Sequence, residues 1–186
     1  MKLLFTCVVA IFFFGCSSPT QKISPENKQK QILADQIRKK VSKELAERYG
    51  LVPFGSGGQM MHQIEMLMLA FTYNEPIDQN EARKLLVESV NYFASAINTD
   101  ERIHSYLANF PFEPKNIQVE ISLRDGQGRN LPEGHLTLIT ASKGSLEYDI
   151  RDPETHKLVT AHRETFEEAK QLLQKTSSDR KTATFR

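Results

Sequence analysis

The period of the hydrophobic pattern changes in the second half of this 186-residue chain, and this change constrains the fold most. After residue 116, apolar residues occupy alternate positions, which places them on one face of a β-strand and polar residues on the other. The clearest strand has four of them, at Ile117, Val119, Ile121 and Leu123. Turn sequences separate it from three further predicted strands, over residues 136–141, 146–151 and 158–162. Such short connections predict an antiparallel sheet with one wet face.

The apolar residues outside this region recur with a helical period. A helix is predicted over residues 28–50, and a second begins at Asp78, which has the spacing of a capping box with Glu81. A short helix is predicted over 100–108, and a last helix follows Thr165. The first helix has apolar residues four positions apart: Leu33, Ile37, Val41 and Leu45.

Residues 51–73 are harder to assign. The Gly-rich stretch at 51–59 is typical of a turn or linker. Residues 60–73 are densely apolar and fit either a helical stripe or a buried strand. The β-favouring end of this segment, LAFTY, leads us to predict a strand over 64–73.

Together these elements predict an α+β fold. We expect an antiparallel sheet of about four to five strands with helices packed on one face, preceded by an N-terminal amphipathic helix. The globular domain is predicted over residues 59–175, after the basic helix 28–50. The polar segment 176–186 is predicted to be a disordered tail.

The first sixteen residues have the anatomy of a signal peptide. A single Lys precedes an apolar block over residues 3–14, which is too short for the ~20 residues that a membrane-spanning helix needs. Gly15 and Cys16 follow the block directly, and small polar residues come next.

This junction resembles the lipobox of bacterial lipoproteins, and the resemblance covers residues 1–20. It implies cleavage between Gly15 and Cys16, a diacylglycerol on the Cys16 thiol and an acyl chain such as palmitate on the new N-terminus. The signal peptide would then be residues 1–15, and the lipidated N-terminus with its tether residues 16–27. The chain departs from the usual pattern at Phe13, where Leu is preferred, and at Phe14, where a small residue is usual.

The resemblance also implies a location. Each CH₂ of an acyl chain buried in the lipid bilayer contributes ~0.8 kcal/mol, and stable attachment needs more than one chain. Acylated Cys16 would carry more than one chain and would therefore anchor the protein in the bilayer. In Gram-negative members of the class, Ser17 rather than Asp after the cysteine implies sorting to the outer membrane. We therefore expect a lipid-anchored protein of the bacterial cell envelope, on the outer membrane and facing the periplasm.

The predicted first helix is basic. Residues 22–48 contain eight Lys or Arg and four Asp or Glu. Such a face is either a solvated surface of a helix packed on the domain or a contact for anionic headgroups or a protein partner. The residues proposed for that contact are Arg38, Lys39, Lys40 and Lys43.

The glycines at 55–58 do not complete a phosphate-binding motif. A P-loop requires Gly-Lys-Ser/Thr after the loop, but Gln59 follows these glycines and the next Lys is Lys84. The alternatives are a linker and a nest of backbone N–H groups for an anion or carboxylate. The binding candidates for such a nest are Gly57, Gly58, Gln59 and His62.

No other motif predicts chemistry. The pattern G-x-S-x-G is missing, the five histidines lack H-x-x-x-H spacing, and Cys16 is the only cysteine after the leader. We therefore predict no catalytic residue, no metal ligand and no cofactor. The net charge of +1, without basic and aromatic residues interleaved, predicts no nucleic-acid partner.

The leading functional hypothesis is a membrane-anchored envelope lipoprotein that acts as a structural or interaction module. The first alternative is an envelope hydrolase whose site is assembled from loops. The second is a carrier of small ligands or lipids that uses the interior between sheet and helices.

Overall fold

The computed structural model describes the backbone of residues 24–184 and the side chains of residues 24–176. This part of the chain forms an α+β fold of one six-stranded sheet with helices packed on it. Two 3-10 helices, Glu101–Tyr106 and Pro114–Asn116, lie before the third strand. The main elements are α1 (Pro25–Tyr49), β1 (Val52–Gln59), β2 (Met66–Tyr73), α2 (Gln79–Asn98), β3 (Ile117–Leu123), β4 (Leu136–Ser142), β5 (Ser145–Arg151), β6 (Leu158–Thr165) and α3 (Phe166–Thr184). Among the described residues, no helix is both long enough and apolar enough to cross a bilayer.

The strands lie in the sheet in the order of the sequence, with β1 and β6 at the edges. All neighbours are antiparallel except β2 and β3, which pair in parallel from Leu67↔Ile117 to Tyr73↔Leu123. The parallel pair arises because α2 returns the chain to the end of the sheet where β2 began. The prediction of four to five antiparallel strands was therefore wrong in two respects, since the sheet has six strands and is mixed.

One face of the sheet forms the core with the helices. The alternation predicted for β3 is confirmed, because its apolar residues are buried and the polar residues between them are partly exposed. Register aligns Val119 with Leu69 and Ala141, so the apolar side chains of neighbouring strands share this face. The three helices pack on this apolar face of the sheet, and α2 lies between α1 and α3.

The helix α1 belongs to this core. Its four apolar residues at four-residue spacing are all buried in the same cluster as the sheet residues. Ser24 caps its start through a side-chain hydrogen bond from the Asn27 amide, and Gly50 ends it with φ 69°. Toward the C-terminus, α3 continues to Thr184. It therefore covers most of the segment 176–186, for which the sequence predicts a disordered tail.

The predicted capping box at the start of α2 is confirmed. The Asp78 side chain accepts hydrogen bonds from the amides of Asn80 and Glu81, and the Glu81 carboxylate accepts one from the Asp78 amide. These bonds satisfy amides that the first turn of a helix leaves without partners. The predicted strand over 64–73 is also confirmed, as β2.

Candidate functional site

A groove between α1 and the edge strand β1 brings together most of the residues predicted to bind a partner. We call it the α1–β1 groove, and its volume is about 610 Å³. It is lined by Asp35, Arg38, Lys39, Ser42, Lys43, Pro53, Phe54, Gly55, Ser56 and Leu69.

The four basic residues predicted for this surface have two different roles. Arg38 is only 7% exposed, where it donates a hydrogen bond to the carbonyl of Gly57 (2.6 Å) and pairs with Asp35. Lys39, Lys40 and Lys43 are exposed. Arg38 therefore ties α1 to β1. Lys39 and Lys43 line the groove, where Lys43 lies 3.7 Å from the Glu47 carboxylate, and Lys40 lies outside the lining.

The glycine-rich segment is a strand rather than a turn or linker, so that interpretation was wrong. Gly57, Gly58 and Gln59 pair with Met68, Leu67 and Met66 of β2. An extended strand points successive amides in opposite directions, whereas an anion nest requires consecutive amides to converge.

Close packing explains one of these glycines. A Cβ atom at Gly58 would lie 2.6 Å from the carbonyl oxygen of Met66, so a side chain there requires the backbone to shift. At Gly57 the nearest atom to such a Cβ would be the Met68 sulfur at 3.8 Å, an ordinary contact. Gly58 is thus needed for the pairing of β1 with β2.

The remaining candidate, His62, lies outside the groove. It is exposed in the connection between β1 and β2, and its backbone carbonyl accepts a hydrogen bond from the Lys30 ammonium (2.8 Å). The structure therefore separates His62 from the exposed lysines of the groove.

The outer side of β1 has the features of a docking edge. No strand lies beyond β1 in the described sheet, and its side chains are mostly exposed. Phe54 is 60% exposed and Val52 48% exposed. An uncovered edge strand can pair with an extended segment of another chain, and the neighbouring lysines favour a segment with acidic residues.

A second group of interacting residues lies at the other edge of the sheet. We call it the α2–β6 cluster, formed by Arg83, Tyr148 and Glu164, all buried. One oxygen of the Glu164 carboxylate accepts hydrogen bonds from the Arg83 guanidinium (2.7 Å) and the Tyr148 hydroxyl (2.5 Å). Arg83 also donates to the side chain of Asn80 (2.6 Å). The cluster therefore joins α2 to β5 and β6.

A surface cleft of about 520 Å³ adjoins this cluster. His162, which is exposed, lies in the cleft, and its Nε2 atom is 3.9 Å from the second Glu164 oxygen. Arg163 and Glu168 contribute further charged side chains to the lining. Within the part of the chain that the structure describes, no group of three or more His, Cys, Asp or Glu residues could hold a metal ion.

The chemistry of the α2–β6 cluster is that of a structural link. Burial raises the pKa of the Tyr148 hydroxyl far above its usual value, and the hydrogen bond to Glu164 and the charge of that carboxylate raise it further. The phenol therefore stays protonated at neutral pH and is a poor base or nucleophile. Glu164 is engaged by Arg83 and Tyr148, so its first oxygen is not available to activate a substrate.

Sequence reasoning did not find this cluster. Arg83 and Glu164 are 81 residues apart, and each belongs to a segment with many other charged residues. Only the burial of Glu164 within a strand that is otherwise exposed distinguishes it, and that requires the fold.

Comparison of the chain with protein-family models, with curated proteins and with solved structures finds no significant match. The functional assignment therefore depends on the residues of this chain alone.

Proposed function

We propose that this protein is a lipid-anchored lipoprotein of the bacterial envelope whose α+β domain is an interaction module. The observation that carries the proposal is the junction of Gly15 and Cys16 at the end of a short apolar leader. The junction lies outside the described residues, and residues 17–23 connect it to Ser24, the cap of α1.

The anchor determines where the domain works. Acyl chains on Cys16 would hold the domain at a bilayer surface, and Ser17 favours the periplasmic face of the outer membrane. A domain in that position meets other envelope components by lateral diffusion, so a docking surface is sufficient for function.

The α1–β1 groove supports an interaction role. It combines the uncovered edge of β1, the exposed ring of Phe54 and the side chains of Lys39 and Lys43. We propose that it binds an extended segment of a protein partner that carries apolar and acidic side chains. The apolar residues would cover Phe54, the acidic residues would pair with the lysines, and the backbone would extend the sheet.

The other two hypotheses gain no specific observation. A hydrolase requires a nucleophile as well as a general base. The cleft beside the α2–β6 cluster has His162 near the second Glu164 oxygen (3.9 Å), but its lining contains no Ser, Thr or Cys. A carrier requires an enclosed apolar cavity, whereas the α1–β1 groove and the cleft beside the α2–β6 cluster are surface features with charged side chains in their lining.

Metabolic labelling tests the anchor. Cells that express the full chain are grown with an alkyne analogue of palmitate, and the protein is compared with Cys16→Ala and with Cys7→Ala, its matched control. We expect equal labelling of the wild type and Cys7→Ala, with the protein in the membrane fraction. Cys16→Ala should lose both the label and the membrane association. Labelling that survives in Cys16→Ala, or a wild type that takes up no label, contradicts the proposal.

Site-specific photocrosslinking tests the groove. A photoreactive amino acid in place of Phe54 should form a discrete protein adduct in intact cells, because the side chain faces the proposed partner. The same amino acid in place of Gln127, in the exposed turn after β3, is the control and should form none. Reversing the charge with Lys39→Glu and Lys43→Glu should abolish the adduct at position 54. An adduct that is insensitive to these substitutions, or one formed only with lipid, argues against a protein partner in the groove.

A further inference from the structure

The end of the domain where α1 begins is built from several connected segments. The connection between β1 and β2 and the loop after the first 3-10 helix meet there. The amide of Ile64 donates to the carbonyl of Tyr106 (2.7 Å), and the amide of Ala108 donates to the carbonyl of Ile64 (3.0 Å). We call this surface, formed by residues 24–30, 60–65 and 106–112, the tether end.

The tether end carries two large apolar side chains in solvent. Met61 is 82% exposed, the highest value among the exposed large hydrophobic residues of the described chain, and Phe110 is 57% exposed. Each lies on one of the two hydrogen-bonded loops, so both are at the same end of the domain, where one side of the Phe110 ring packs on His104 with the ring centroids 4.2 Å apart. Two of the three most exposed large apolar side chains of the described chain therefore lie at this end, and an apolar phase that covers them would remove their surface from water.

The loop that carries Met61 is held in place by α1. Lys30 is only 2% exposed, and its ammonium donates to the carbonyls of Met61 (3.2 Å) and His62 (2.8 Å). A buried lysine is costly unless its donors are satisfied, so these two bonds fix the loop against the first turns of the helix. The exposure of Met61 is thus maintained by the fold.

Chain length restricts which surface can face the bilayer. Eight residue steps from Cys16 to Ser24 can span at most about 29 Å. The 25 residues of α1 extend about 37 Å from the tether end toward the opposite end. The opposite end therefore cannot rest on the bilayer with the helix upright, because the tether would have to reach farther than its full extension. Only the tether end or a flank of the domain can lie against the lipid.

We propose that the tether end docks on the bilayer surface and that Met61 and Phe110 insert into its headgroup region. This inference rests on the proposed acylation of Cys16, which brings the tether end to the membrane. Insertion removes both side chains from water and leaves the opposite end of the sheet facing the aqueous compartment. It also fixes the orientation in which the α1–β1 groove meets a partner.

Spin-label accessibility tests the proposal on the full-length, acylated protein. Single-cysteine variants Met61→Cys, Phe110→Cys, Lys40→Cys and Gln127→Cys carry a nitroxide, and the thioether to diacylglycerol blocks the sulfur of Cys16. The protein is reconstituted in vesicles of phosphatidylethanolamine and phosphatidylglycerol. We expect labels at 61 and 110 to collide with oxygen more often, and with an aqueous nickel chelate several-fold less often, than labels at 40 and 127. The label at position 40 reports whether the α1 flank of the domain lies on the bilayer. The label at position 127 reports the accessibility of the end opposite the tether end.

Three results overturn the proposal. Labels at 61 and 110 that are as accessible to the nickel chelate as the label at 127 would leave the tether end in water. A label at 40 in lipid with 61 and 110 in water would place a flank on the bilayer. Labels at 61 and 110 that are shielded from both oxygen and the nickel chelate would indicate that another protein, and not lipid, covers the tether end. The intact mass of the same sample distinguishes a failure of the docking proposal from a failure of the proposed function. An acylated protein whose tether end stays in water overturns only the docking proposal, whereas an unacylated protein overturns both.

Discussion

Replacing Glu164 with alanine is expected to lower the free energy of unfolding by about 3–5 kcal/mol, because it leaves a buried guanidinium without its counter-ion. Tyr148 is fully buried and Arg83 is 7% exposed at the edge of the cleft, so water replaces their lost hydrogen bonds poorly. Urea unfolding monitored by far-UV circular dichroism measures the change.

Two further variants make this prediction specific. Glu147→Ala removes a carboxylate from an exposed pair with Arg163 (2.8 Å), and we expect a cost of about 0–1 kcal/mol. The double substitution Arg83→Met and Glu164→Leu should recover much of the stability, since it removes both buried charges. Equal effects of Glu164→Ala and Glu147→Ala would show that the α2–β6 cluster does not link α2 to the sheet.

Phe93→Ala is expected to cost about 3–5 kcal/mol, the usual range for truncating a buried aromatic ring. Phe93 is 0% exposed on α2, the central helix over the sheet. The cavity left by its ring would be lined by residues from the helices and the sheet, whose backbones cannot collapse fully into it.

The same substitution at Phe54 is the matched control. That ring is 60% exposed on β1, and we expect Phe54→Ala to change stability by no more than about 0.5 kcal/mol. Thermal and urea unfolding of both variants measure the difference. A loss at Phe54 comparable to the loss at Phe93 would mean that the ring is part of the core and not of a docking surface.

Local patterns predicted much of this fold from sequence. The alternation in β3, the helix capped by Asp78 and the strand over 64–73 each depend on residues close together in the chain. Their signals are strong because period, cap and turn residues agree over several consecutive positions.

The misassigned elements depend on residues far apart in the chain. The Gly-rich segment 52–59 has little intrinsic preference for a strand, and it becomes β1 because β2 offers an edge and Arg38 holds the Gly57 carbonyl. The parallel pairing of β2 with β3 follows from the path of α2 and has no local signature. Arg38 looked like one more exposed cation of a basic helix, and only its neighbours in space reveal that it is buried.

The intact mass of the protein extracted from membranes tests the central claim most directly. We predict a mature chain that begins at Cys16 and carries the mass of a thioether-linked diacylglycerol and an amide-linked acyl chain, both on the first residue. A chain that retains the leader, one cleaved at another position, or an unmodified Cys16 would contradict the account of this protein as a lipid-anchored interaction module.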